Sequence, residues 1–236
     1  MAKKEYEVSA KWVSALIVAA GESTRMGGVD KLMSAIGGVP LIARTILAFE
    51  TCDLIREIVV VTKRVGEVAD LVHRMGCDKI AQIVIGGETR SESVRRGLQE
   101  LSGKADYVAI HDGARPLVTA KLIAEVALAA TLNGAAIAAA PVTDTVKHVM
   151  RGAIKRTVPR KTLYAAQTPQ VFDVGLIKAA HQNALDKKLT LTDDAEAVEA
   201  IGGLVRIVEC SHPNIKVTFP QDLLMVNAYL ELEGLA

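Results

Sequence analysis

The sequence predicts a doubly wound α/β domain on a mostly parallel sheet, with one projecting β-arm. Three observations carry this. Continuous apolar runs recur along the first half of the chain. Stretches of helical apolar spacing alternate with them. One charged, hairpin-like excursion breaks the rhythm between residues 142 and 165. Continuous rather than alternating apolar runs suit strands covered on both faces. A repeated strand–helix order implies right-handed crossovers onto a parallel sheet.

The first run is Ser14 to Ala20, ending at Gly21. Ile58 to Val61, Ile80 to Ile85, Tyr107 to Ile110 and Ala135 to Ala140 follow it. Leu41, Ile42, Thr45, Ile46 and Phe49 fall at helical spacing behind Pro40, which suits a helix start. Val65 to Met75, Ser91 to Leu101 and Thr119 to Leu132 read as helices in the same way. Thr143 to Met150 and Ala153 to Val158 read as two strands of an exposed hairpin with Gly152 between them. A projecting arm needs a partner surface, so a homodimer is expected. Further on, Thr192 is the expected N-cap, with Asp193 and Asp194 in the first turn. Ala195, Val198 and Ile201 mark the apolar face of that helix, and Gly202 marks its end. Leu204 to Val208 reads as a strand. Pro220 opens a last helix carrying Leu223, Val226 and Leu230 on one side.

Composition narrows the function classes. Half of the 236 residues are hydrophobic and 23% are charged, which suits one compact domain over residues 1–236. A formal net charge of +1 and 3% aromatic content argue against a nucleic-acid or anionic-membrane binder. Cys52, Cys77 and Cys210 are widely spaced, giving neither a disulfide framework nor a zinc signature. The apolar stretch from Val126 to Val142 is broken by Thr131, Asn133 and Gly134, so no membrane span is expected. A soluble, cytoplasmic protein is the expectation.

The loop after the first strand carries the most information. It reads Ala19-Ala20-Gly21-Glu22-Ser23-Thr24-Arg25-Met26-Gly27-Gly28-Val29-Asp30-Lys31. Small residues let backbone wrap closely around a ligand, and successive N–H groups form an anion nest. Arg25 and Lys31 add two cations, so a triphosphate fits. Neither a GxGxxG fingerprint nor a GxxxxGK[ST] phosphate loop is present, which disfavours a dinucleotide dehydrogenase and a P-loop enzyme. His111-Asp112 alone lacks the further ligands of a metal-hydrolase site.

This loop resembles the AAGxGxRMGxxxxK signature of nucleotidyltransferases that load a sugar or polyol phosphate onto a nucleotide, with Ser23 replacing the second glycine. Gly86 to Val94 is similar to the family segment GGxxRxxSV, and His111-Asp112-Gly113-Ala114-Arg115-Pro116 to HDAARP. Pro141 to Lys147, Gln167-Thr168-Pro169-Gln170, Thr192-Asp193-Asp194 and Asn214 to Thr218 match in order. From Ser14 to Leu230 the chain resembles the 2-C-methyl-D-erythritol 4-phosphate cytidylyltransferases of the non-mevalonate isoprenoid pathway.

The resemblance implies a Rossmann-like fold and a reaction between CTP and methylerythritol phosphate. It implies Arg25, Lys31, Arg160 and Lys216 as catalytic cations. Ala19, Ala20, Gly21, Gly87, Glu88, Ser93 and Gly113 would hold the nucleotide. Asp112, Arg115, Thr145, Thr168 and Thr192 would form the second substrate's pocket. Magnesium is expected on the CTP phosphates, with no dedicated protein ligand unless Asp112 serves. In this family the arm reaches the neighbouring subunit, which would let each site be completed in trans, and the sequence leaves open whether Arg160 and Thr145 act in cis or in trans. The rival readings are a ribitol-5-phosphate cytidylyltransferase, a guanylyltransferase and a non-catalytic nucleotide sensor.

Overall fold

A computed structural model describes residues 11–21 and 30–234. Its centre is a seven-stranded sheet in the order β11-β7-β10-β6-β1-β4-β5. The strands are β1 Val13–Ala19, β4 Ile55–Thr62, β5 Ile80–Ile85, β6 Tyr107–Asp112, β7 Ala135–Pro141, β10 Tyr164–Asp173 and β11 Arg206–Glu209. β1 is parallel to β4 and β6, β4 to β5, and β7 to β11. β10 alone runs antiparallel, between β6 and β7. Two short strands, β2 Ala35–Ile36 and β3 Val39–Pro40, pair outside this sheet.

Side chains alternate across each strand, so β1 feeds two cores. Val13, Ala15, Ile17 and Ala19 pack with α1 Leu41–Glu50, α2 Val65–Met75, α4 Ala120–Asn133 and α7 Pro220–Leu232. Leu16 and Ala20 pack on the other face with α3 Arg90–Gln99, α5 Val174–Asp186 and α6 Asp194–Glu199. Both faces of β1, β4 and β6 are therefore dry, which is why their sequences run apolar without alternation. α3 lies close on the sheet because Gly97 has no side chain. A Cβ there would stand 2.2 Å from Leu16 Cδ1 and 2.8 Å from Val61 Cγ2.

The structure corrects several expectations. The run Ile80–Ile85 is not covered on both faces: β5 is an edge strand of the sheet, and Ile85 is 62% exposed. The N-cap of α6 is Asp193, whose carboxylate accepts from Glu196 N–H at 2.9 Å; Thr192 instead donates its hydroxyl to Glu196 Oε2 at 2.8 Å. α6 ends at Glu199, before Gly202, and Ile201 lies outside its buried face at 38% exposure. β10 and α5 were not recognised in the sequence. The polar Gln167-Thr168-Pro169-Gln170 interrupts the strand, and the register shifts between Ala166 and Gln170. The expected hairpin is present as β8 Val146–Met150 and β9 Ala153–Val158. Arg151 and Gly152 turn it with φ of 50° and 77°, the pair of positive angles that a two-residue hairpin loop favours.

Gly97→Val should lower stability by about 2 kcal/mol, because overpacking outweighs the roughly 1 kcal/mol that glycine costs a helix. Urea unfolding of the variant beside the parent measures this. An unchanged midpoint would contradict the close packing of α3.

Candidate active site

The site forms where β1 and β6 end side by side. In wound sheets ligands bind beyond the carboxyl ends of strands. β6 delivers Asp112 there, 7% exposed. Its carboxylate meets three cations. Arg90 Nε donates to Oδ1 at 3.2 Å, Lys216 Nζ lies 2.9 Å from Oδ2, and Arg115 Nε donates to Oδ2 at 3.4 Å. Burial pushes the Asp112 carboxyl up. Arg90, Lys216 and Arg115 outweigh that and hold it well below the usual carboxylate range.

Arg90 bridges to a second buried carboxylate, Asp194, donating from Nη2 at 2.7 Å. Burial disfavours the charged guanidinium, but Asp194 and Asp112 together hold Arg90 firmly protonated. Asp194 in turn accepts from His181 Nε2 at 3.0 Å. Arg90 and the His181–Asp194 pair are not among the sequence-predicted site residues. The signal available was the arginine of GGxxRxxSV, followed by an Asp much later in the chain.

The segment between β5 and α3 forms another wall. A Cβ on Gly86 would stand 2.1 Å from Ala20 Cβ, so only glycine lets this segment lie against the exit of β1. Thr89 caps α3 by accepting from Glu92 N–H at 3.1 Å, while Glu92 Oε2 accepts from Glu88 N–H at 2.9 Å. Ser93 is buried, accepts from Gly87 N–H at 3.0 Å and donates to the Thr89 carbonyl at 2.9 Å. Its hydroxyl braces the segment.

Together these elements enclose a cleft of about 420 Å³. Of the sequence-predicted residues, Ala19, Ala20, Gly21, Lys31, Gly87, Glu88, Ser93, Asp112 and Lys216 line it. Arg90 and Lys63 line it as well, unpredicted. Lys31 is placed by its neighbour Leu32, whose side chain is buried and whose carbonyl accepts from Ile42 N–H at 3.0 Å. Lys216 is placed by Val217, whose N–H donates to the Ala114 carbonyl at 2.8 Å.

The other predicted residues lie elsewhere. Arg25 falls outside the described residues. Gly113 is packed beneath the cleft; the close approach it permits is to Val18 and Ala19 of β1. Arg115 is buried and donates to the Asn214 carbonyl at 2.7 Å, so it fastens the segment that carries Lys216. Thr168 accepts from Asp112 N–H at 3.1 Å, and its hydroxyl lies 3.0 Å from His111 Nδ1. Thr192 is exposed beside Glu196. Thr145 and Arg160 are exposed on the arm, with Arg160 donating to the Thr143 carbonyl. Within one chain neither belongs to the cleft wall.

A cleft lined by cations and close-packed backbone, beyond the ends of parallel strands, suits a phosphorylated ligand and places the chain among the α/β nucleotide-binding folds. Comparison with known proteins narrows that class. The sequence model of 2-C-methyl-D-erythritol 4-phosphate cytidylyltransferase matches residues 13–232. The enzyme of that name from Halalkalibacterium halodurans is 43% identical over 220 residues, covering 92% of this chain and 96% of the relative. That from Bacillus cytotoxicus is 42% identical over 221 residues, covering 92% and 97%. Among solved structures, 4-diphosphocytidyl-2C-methyl-D-erythritol synthase from Anaerococcus prevotii superposes with a TM-score of 0.86 at 31% identity, covering 96% of this chain and 99% of that one. The Thermus thermophilus cytidylyltransferase superposes with a TM-score of 0.78 at 35% identity, covering 93% and 99%. The chain belongs to the 2-C-methyl-D-erythritol 4-phosphate cytidylyltransferase family.

One buried group beneath the site titrates in an accessible range. His111 is fully buried, and burial foremost, helped by Arg115 and Lys216, pulls its pKa from 6.5 down to about 3. Thr168 sits at its Nδ1, and the Arg115 carbonyl lies 3.4 Å from Nε2, an arrangement that suits the neutral ring. The unfolded chain therefore takes up this proton first. The contribution of His111 is complete above pH 6.5 and is lost as pH falls from 6.5 towards 3. Unfolding free energies measured between pH 4.5 and 6.5 should slope less steeply in His111→Gln, by about 1 kcal/mol per pH unit on average. Identical slopes would show that the folded protein holds His111 charged.

Proposed function

We propose that this chain transfers the cytidylyl group of CTP to 2-C-methyl-D-erythritol 4-phosphate. The products are 4-diphosphocytidyl-2-C-methyl-D-erythritol and pyrophosphate. The observation that carries this is the cleft at the ends of β1 and β6, with Lys31 and Lys216 on its wall.

The substrate phosphate attacks the α-phosphorus of CTP in line, and the bond to the bridging oxygen of pyrophosphate breaks. A phosphate monoester is largely ionised at neutral pH, its second pKa being about 6, so no strong general base is needed. Both reactants are anions, and the barrier is largely electrostatic. Lys31, with Arg25, neutralises the charge that grows on the α-phosphate and the departing pyrophosphate. Lys216 receives the attacking phosphate. Its bond to Asp112 fixes the ammonium before substrate arrives, so little reorganisation is left for the reaction. Ala19, Ala20, Gly21, Gly87 and Glu88 offer backbone groups to cytosine and ribose, with Ser93 holding the Gly87–Thr89 segment in shape.

Among the described residues, the environment of Asp112 argues against its holding magnesium. Both oxygens of Asp112 already take cationic partners, and among the described residues no cluster of three His, Cys, Asp or Glu side chains could hold a metal. Magnesium is expected on the CTP phosphates, where it would offset part of their charge. The arm supports homodimerisation: Val149, Met150 and Ile154 are each more than half exposed. Docking on a second copy would cover them and bring Arg160 and Thr145 to the partner's cleft. Among the described residues no helix is long and apolar enough to cross a membrane.

Pyrophosphate release should be measured with CTP, UTP, ATP and GTP, each against methylerythritol phosphate and ribitol 5-phosphate. Release is expected only with CTP and methylerythritol phosphate. Preference for ribitol phosphate, or silence with every pair, would overturn the assignment. Lys31→Ala should keep the parent's circular dichroism and lose on the order of 10²-fold in turnover, about 3 kcal/mol of barrier. Undiminished turnover would remove Lys31 from the mechanism.

A further inference from the structure

Lys31 comes from a turn outside the seven-stranded sheet, yet in the proposed reaction its ammonium must meet the α-phosphate at a fixed point. We propose that Arg64, which does not line the cleft, is a positioning residue for that reaction: it holds Asp30, and through Asp30 it holds Lys31. The inference rests on the reading of Lys31 as a cation that neutralises the transition state.

One end of this arrangement is rigid. Thr62 closes β4, is fully buried, and pairs with Ala19 of β1 and Ile85 of β5. Its carbonyl accepts from Gly86 N–H at 3.1 Å, and its hydroxyl accepts from Arg64 N–H at 3.1 Å. Arg64 is the N-cap residue of α2, and its carbonyl accepts from Val68 N–H at 3.0 Å. Glu67, in the first turn of α2, grips the guanidinium by accepting from Nη1 at 3.0 and 2.9 Å. Arg64 is thus fixed by the sheet on one side and by the helix on the other.

The other end needs fixing. Residues 30–34 form a turn that leads into the two-residue strand β2. Asp30 organises this turn. Its Oδ1 accepts from Leu32 N–H at 3.1 Å, and its carbonyl accepts from Ser34 N–H at 3.0 Å and from the Ser34 hydroxyl at 2.7 Å. Lys31 lies between Asp30 and Leu32, so its backbone moves with theirs. The remaining carboxylate oxygen, Oδ2, is buried and accepts no hydrogen bond among the described residues. Arg64 Nη1 stands 3.0 Å from it, a contact of charge. Leaving a buried carboxylate oxygen without its cation is costly, so Asp30 stays where Arg64 is. Leu32 pins one side of Lys31, and the Asp30–Arg64 pair pins the other.

The chemistry fixes how loss of this pair should look. Lys31 acts on charge that grows only in the transition state, so a displaced Lys31 lowers kcat and leaves the KM for CTP in place. A misplacement of about 1 Å can cost on the order of 10²-fold in rate. Asp30 and Arg64 are 23% and 42% exposed, and ion pairs this open to water add little to stability. A purely structural role would therefore leave turnover almost untouched.

The test is steady-state kinetics with CTP varied at saturating methylerythritol phosphate, with urea unfolding of the same samples. Arg64→Gln should lower kcat by about tenfold, with KM within about twofold of the parent and the urea midpoint unchanged. Arg64→Lys keeps a cation near the carboxylate and should restore most of the turnover. Asp30→Asn keeps the acceptor for Leu32 N–H and drops the charge, so it should reproduce Arg64→Gln. The double variant should be no slower than either single one, because both remove the same contact. Lys31→Ala is measured beside them. If Lys31→Ala is impaired and Arg64→Gln is not, the inference fails while the role of Lys31 stands. Losses that multiply in the double variant, or a raised KM at the parent's kcat, would also overturn it. Undiminished turnover in Lys31→Ala would remove the reading and the inference together.

Discussion

The site is organised around one buried carboxylate. Removing a carboxylate from water costs several kcal/mol, and Asp112 bears that cost at the end of a central strand. Three cations offset it, and each comes from a different part of the chain. Arg90 opens α3, Arg115 follows β6, and Lys216 follows β11. Asp112 thus draws together elements that the sheet alone would leave apart. A cation that is already paired arrives at the reaction oriented. Four cationic side chains, Lys31, Lys63, Arg90 and Lys216, face the cleft against the carboxylates of Asp112 and Glu88, so the wall stays attractive to phosphate.

The sheet supplies the rigidity this arrangement needs. β1 and β6 are buried on both faces, so the ends of these strands have little freedom to move. Gly86 and Gly113 then allow backbone to press against the exit of β1. The floor of the cleft is therefore made of main chain and small side chains. A base read there meets fixed hydrogen-bonding groups rather than mobile ones, which suits a protein with so few aromatic rings.

What the sequence revealed follows from what is local in it. The strand–helix alternation was legible because doubly covered strands write themselves as apolar runs. The hairpin was legible because Gly152 stands between two strand-like segments. Lys31 and Lys216 stood out through their motifs. The Arg90–Asp194 bond spans 104 positions, and the Asp112–Thr168 bond spans 56. No local pattern encodes such pairings. The motifs around Thr168 and Arg115 suggest substrate contacts because a motif marks a residue without saying which way it faces. In the folded chain they hold His111, Asp112 and Asn214. β10 was hidden by the polar residues that interrupt it.

Lys216 hangs from the connection after β11, the strand at one edge of the sheet, and is fastened through Asn214 and Val217 to residues a hundred positions earlier. Such long-range closure carries a loop-entropy cost that the contacts of Asn214 and Val217 offset. During synthesis, the segment that bears Lys216 emerges after every other wall of the cleft. An unfinished chain holds the Lys31 wall and Asp112 without their last cation. In the proposed reaction, a chain that stops before residue 216 would therefore lack the ammonium assigned to receive the attacking phosphate.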